Sequence, residues 1–260
     1  MRCSARLGSR ARSTNPQASS ARLAGCGSAV VLRCDESVDV HTVRVADTNH
    51  AFFNQKILNG WNLWALIAVP LSLAVMAMMT TKDLSRPTEI SSMIQFSVRC
   101  SVPWLYLAFS ASSLKILFPG TFSRWALRNR RNIGLCFAAG MAWQLFFIVW
   151  MVAGYWSYYL EEAYLLEDVV IQLPGYLFLF AMTLTSFRRW RRRISPRQWK
   201  LLHKSGIYFL WATVWTTYWY ELYYYDDRQL IDYIYYWAGL LAYGLRVVAW
   251  NKVRWARVPA

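Results

Sequence analysis

Residues 199–220 read WKLLHKSGIYFLWATVWTTYWY. From Ser205 to Tyr220 the run carries no charge, and aromatic and aliphatic side chains fill most of it. A helix needs about 20 mostly apolar residues to cross the ~30 Å hydrocarbon core of a bilayer, and this stretch supplies them. It holds one histidine, His203, near its start, and about four turns later it reads Thr216-Thr217.

The rest of the chain is built the same way. Of its 260 residues 56% are hydrophobic, the mean hydropathy is +0.19, and it has 15 Trp and 16 Tyr. With several long uncharged runs, that composition indicates an integral membrane protein rather than a soluble domain. The formal net charge of +15 could suggest a nucleic-acid partner, but the charges punctuate apolar runs, so nucleic acid is not expected. The cysteines form no CxxC pair and no metal-type spacing with histidine, so neither a metal site nor a disulfide framework is expected. Cys100 and Cys136 read as small buried hydrophobes.

Six runs qualify as spans: residues 57–81, 100–117, 133–156, 169–187, 199–220 and 233–250. Arg99 and Lys115 stand at the two mouths of the second, and Arg246 interrupts the sixth near its end. The fold class expected is therefore all-α: an integral membrane protein with six transmembrane helices in a bundle over residues 57–250. Charge sets the orientation. Arg124, Arg128, Arg130 and Arg131 lie between spans two and three, RRWRRRISPRQWK between four and five, and Lys252, Arg254 and Arg257 after six. The intervening connections carry Glu161, Glu162, Glu167 and Asp168, then Glu221, Asp226, Asp227 and Asp232. Under the positive-inside rule both termini are cytoplasmic, and the protein is multi-pass in the cell inner membrane. RRWRRR then reads as a topology anchor with lipid headgroups as partners. YWYELYYYDD, residues 218–227, reads as an outer aromatic belt.

Residues 1–50 differ from everything after them: rich in Arg, Ser and Ala, with no acid before Asp35. They are expected to form a disordered basic tail. The preferred reading is a start site placed too far upstream, with translation beginning near Val45; an organellar targeting segment is the alternative. Residues 251–260 read as a short basic cytoplasmic tail.

Three motifs carry a family resemblance. Arg130-Arg131-Asn132-Ile133-Gly134-Leu135 opens a helix, Leu184-Thr185-Ser186 closes one, and Trp199-x-x-Leu202-His203-x-x-x-x-Tyr208 opens another. In this order and spacing the chain resembles the ferric reductase-like transmembrane domain family over roughly residues 57–255. Within it, the chain is most similar to the haem-binding membrane subunits of bacterial periplasmic methionine-sulfoxide reductase systems. The resemblance implies b-type haem held between helices and electron transfer across the membrane. Two imidazoles on facing helices clamp iron in a low-spin state suited to outer-sphere transfer. Positions 14 apart on one helix differ by about 40° in direction and about 21 Å in height, so one helix can hold ligands for an inner and an outer haem.

Carried over residue by residue, the pattern is incomplete. The third-span histidine falls on Gln144, the histidine opening the fifth span on His203, and the outward one on Thr217, or Thr216 if the register slips by one. Gln144 and Thr217 are expected at similar depth, where the missing pair would face across one outer haem. Gln and Thr are poor haem ligands, while a Gln–Thr pair can hydrogen-bond between helices. His41 and His50 lie in the tail, so one chain cannot build a bis-histidine site in the bilayer. A single inner b-type haem would need His203 with a sulfur ligand, for which Met141, Met182 and Cys136 qualify by type.

Two functions follow from the resemblance. One is a degenerate ferric reductase-like membrane protein, a frame that binds lipid or a scaffold protein partner. The other is a single-haem electron-transfer subunit using His203 and delivering electrons to an outer-face redox partner. No GxGxxG follows a strand, so no flavin or nicotinamide domain of its own is expected, and as an enzyme it is at most an oxidoreductase subunit. A transporter would want charge pairs at mid-membrane, which the sequence does not offer.

Overall fold

The computed structural model describes residues 52–160, 166–224 and 228–256, and the expectations for residues 1–50 and for 257–260 lie outside them. Six long helices carry the described chain: α1 Trp61–Thr81, α2 Pro87–Leu117, α3 Thr121–Gly154, α4 Leu166–Ser186, α5 Pro196–Tyr223 and α6 Leu230–Trp255. Short helical turns fill parts of the connections, among them Arg188–Arg191 ahead of α5. The fold is all-α, and α1, α2 and α3 are each long and apolar enough to cross a membrane.

Local chemistry sets the helix starts. Gly60 precedes α1 at φ 65°, a left-handed conformation that a side chain disfavours. Its amide donates to Asn129 Oδ1 at 3.0 Å, and Trp125 Nε1 donates to Leu58 O at 2.8 Å, tying the start of α1 to the first turns of α3. Pro87 opens α2 and Pro196 opens α5, at the position where a missing amide hydrogen is harmless. Ser195 and Gln198 complete a capping box on α5, with the Gln198 amide donating to Ser195 Oγ at 3.2 Å.

Two helices begin well before the spans expected from hydropathy. α2 starts at Pro87 rather than near Cys100, so Arg99 lies within the helix instead of at its mouth. The extra turns are amphipathic, too polar on average to register as a span. Ile90, Met93, Ile94 and Ser97 nevertheless repeat at helical spacing and are fully buried or nearly so. Ile90, Met93 and Ile94 pack with Val75 of α1 and with Phe147 and Met151 of α3. α3 likewise starts at Thr121, which places Arg124, Arg128, Arg130 and Arg131 on its opening turns and not in a loop. At the other end of the chain, α6 continues to Trp255, past the boundary expected at residue 250.

α2 and α3 form an antiparallel hairpin packed along its whole length. Near its middle Gly140 meets Ser101 so closely that a Cβ on the glycine would overlap Ser101 Oγ. α1 packs on α3 and α2; α6 packs on α2; α5 lies between α6 and α4. The central core, with Leu105, Phe109, Phe137, Leu179, Leu210 and Val214, draws on α2 to α5, and Ala242 adds α6. Large apolar side chains also point outward at helical spacing: Leu66, Val69, Leu73 and Met76 on α1, Leu173, Leu177 and Phe180 on α4, and Ile234, Trp237, Leu241 and Val248 on α6.

Candidate functional site

The capping box fixes the direction of α5, and Trp199, His203, Ile207 and Leu210 follow on one face. That face borders a cavity of 560 Å³ whose walls come from α2 to α6. Leu105, Phe137, Leu179 and Leu210, all members of the central core, form apolar wall. Seven basic residues line it as well: Arg128, Arg130 and Arg131 from α3, Arg191 ahead of α5, Lys200 and Lys204 from α5, and Arg246 from α6. No Asp or Glu is among the described lining residues.

The histidine is held from two sides. Its ring packs on Trp199 with centroids 4.4 Å apart, and the Arg191 guanidinium lies 4.3 Å from that same indole. Nε2 of His203 is 3.1 Å from Thr185 Oγ1 of α4. The Thr185 hydroxyl also lies 2.7 Å from Ala181 O, a backbone acceptor on its own helix.

Two guanidinium groups reach the interior of the cavity without a carboxylate. Arg130 donates from Nε to Ala108 O at 3.0 Å. Arg246 lies 4.2 Å from the Phe109 ring centroid and 4.6 Å from that of Tyr208, so aromatic faces take the place of a counter-ion. Its Nη1 is buried with no hydrogen-bond partner, and so is Nε1 of Trp199 in the same cavity. Arg131 turns away to the rim, 5.5 Å from Trp61 and 5.8 Å from Phe187, two rings that stack on one another. In the sequence Arg246 reads only as an interruption of the sixth span. A charge inside an apolar run is the signal that would have marked it.

Of the three sulfur candidates, Met182 alone lines the cavity with His203. Its Sδ presses against Gly206, where a Cβ would overlap it. Cys136 is fully buried and Met141 packs against the central core. Among the described residues no group of three or more His, Cys, Asp or Glu could hold a metal ion.

Gln144 and Thr217 are not joined as the sequence suggests. Thr217 is exposed, and its hydroxyl donates to Thr213 O on its own helix at 3.0 Å. Thr216 does the same toward Ala212 O at 2.9 Å. Gln144 Oε1 is buried with no hydrogen-bond partner. α5 packs chiefly against α4 and α6, and α3 against α2 and α1.

At the far end of the bundle a second polar group ties α2 to α6. Arg99 Nη2 meets Asp232 Oδ1 at 3.1 Å, and Nη1 donates to Gln229 Oε1 at 2.7 Å. Asp232 is 1% exposed and also accepts the Gln229 amide at 3.1 Å, capping α6. Tyr235 donates to Arg99 O at 2.8 Å. These contacts satisfy the charges and leave no open coordination site.

No family model, no curated protein and no solved structure matches this chain.

Proposed function

We propose that this protein is a six-span integral membrane protein of ferric reductase-like architecture, both termini cytoplasmic, that has lost its outer haem site and works without haem. The six-span reading is supported by the outward apolar stripes on α4 and α6, which match the one on α1 and would face lipid. It is supported too by the alternation of basic and acidic residues at successive helix ends and connections.

The loss of haem chemistry rests on the donor set. At the outer level the residues do not fit the group: an exposed, self-bonded Thr217 and an amide oxygen on Gln144 offer no axial imidazole. At the inner level one imidazole is present, and its Nε2 is engaged by the Thr185 hydroxyl of α4. That Thr185–His203 bond is the single observation that carries the proposal. A frame of this kind acts by binding, with membrane lipids and a scaffold or redox protein as its partners.

One observation favours the second reading, a single-haem electron-transfer subunit: His203 and Met182 border the same cavity, and His/Met is a known pair of haem ligands. An optical spectrum of the detergent-purified protein, oxidised and then reduced with dithionite, separates the two. A pyridine haemochrome assay gives the stoichiometry.

A further inference from the structure

The cavity beside His203 combines features that a haem-free frame does not need for its own stability. Arginine stays protonated inside proteins, so Arg130 and Arg246 bring two fixed positive charges into one enclosure. A carbonyl holds one and two aromatic faces hold the other. Neither is an anion, and no acidic residue is among the described residues that line the space. Like charges in a low dielectric are unfavourable unless a counter-charge sits between them. Arg246 Nη1 and Trp199 Nε1, on two of the lining residues, are buried donors with no hydrogen-bond partner.

The volume narrows the ligand. At 560 Å³ the cavity falls among pockets that take whole organic ligands, roughly 300–1,000 Å³, and far exceeds a bare oxyanion. Its apolar wall, with Leu105, Leu179, Ile207 and Leu210, gives a bare or fully polar anion nothing to pack against. The complement is a negatively charged head on a hydrocarbon body. In the proposed topology this end of the bundle faces the cytoplasmic leaflet, where such molecules are the bulk phase, and basic pockets between helices on that side take anionic lipid headgroups.

We propose that the cavity is a binding site for one anionic phospholipid, its phosphate held by Arg130, Arg246 and Trp199 Nε1 and the start of its acyl chains lying on the central core. Lys200, Lys204 and Arg191 at the rim steer the headgroup inward. The site rests on the six-span reading for the source of its ligand, but its chemistry can be read in detergent, where topology plays no part.

The experiment uses the full chain in neutral detergent. Thermal unfolding is followed with added phosphatidylglycerol, phosphatidylcholine or inorganic phosphate, and co-purifying lipid is counted by mass spectrometry. Phosphatidylglycerol is expected to raise the melting temperature, phosphatidylcholine and inorganic phosphate to leave it unchanged, and about one anionic lipid to survive purification. Arg246→Gln should weaken the phosphatidylglycerol effect about tenfold or more, the loss of a charge-assisted hydrogen bond. Arg254→Gln, outside the cavity, should retain it. Should Arg246→Gln fail to fold, Trp199→Phe removes one donor and keeps the ring, and a weakened lipid response is again expected. Equal stabilisation by inorganic phosphate, an unchanged response in every cavity variant, or co-purification of haem in place of lipid would each overturn the proposal. Labelling of the residue 188–195 segment from the cytoplasm tests the topology independently.

Discussion

Nε2 of His203 and Oγ1 of Thr185 lie 3.1 Å apart, joining the start of α5 to the end of α4. The bond uses the only histidine among the described residues as a helix–helix contact, and the Thr185 hydroxyl also meets the Ala181 carbonyl. Thr185→Val should lower stability by about 1 kcal/mol, the usual worth of such a hydrogen bond within a membrane or outside it. Chemical denaturation in detergent checks this. Thr185→Ser keeps the hydroxyl and should restore most of the loss.

The Arg99–Asp232 pair should matter more. Asp232 is almost fully enclosed and caps α6 while pairing with α2. Asp232→Ala removes the buried partner of half-buried Arg99 and the cap of α6, a loss of about 1.5–3 kcal/mol, the worth of hydrogen bonds to charged groups. Replacing both residues by leucine should recover part of that loss, since neither charge is then left alone. A comparison of the three denaturation midpoints decides it.

Two glycines on α3 should respond in opposite ways. Gly140 sits against Ser101 with no room for a methyl group, so Gly140→Val should push α2 and α3 apart at a cost of about 1–3 kcal/mol or more. Gly134 has nothing within 4 Å of where its Cβ would be. Gly134→Ala should be neutral or stabilising by about 0.5–1 kcal/mol through helix propensity. Melting temperatures of the two variants read the contrast directly.

Topology can be read chemically. In a cysteine-free background, Tyr224→Cys at the exposed end of α5 should react with a membrane-impermeant maleimide from the outer face. Arg193→Cys, just before α5, should react only after the inner membrane is permeabilised. The reverse pattern would invert the orientation derived from charge.

Much of this architecture is visible in the sequence because each helix advertises itself locally. Ser195-Pro196-Arg197-Gln198 is a helix start by capping chemistry alone, and the structure places α5 there. The early turns of α2 escape a hydropathy scan because residues 87–99 bury a stripe rather than a whole surface; the pattern at Ile90, Met93, Ile94 and Ser97 records it. The site was less legible. His203 could be singled out by type, but its partner Thr185 comes from another helix, and Arg246 comes from a third. Nothing in the local sequence says that seven basic residues share one cavity, because that juxtaposition is made by packing. The expected meeting of Gln144 and Thr217 assumed that α3 and α5 face each other at that depth, whereas α5 packs chiefly against α4 and α6.

The most direct test is the reduced-minus-oxidised spectrum of the purified protein, produced in cells shown to load haem into a bis-histidine b-type membrane cytochrome. The account expects no Soret band and no pyridine haemochrome, with His203→Ala differing from the parent only in stability. A Soret band that shifts on reduction and disappears in His203→Ala would contradict it and make His203 the ligand of a working haem.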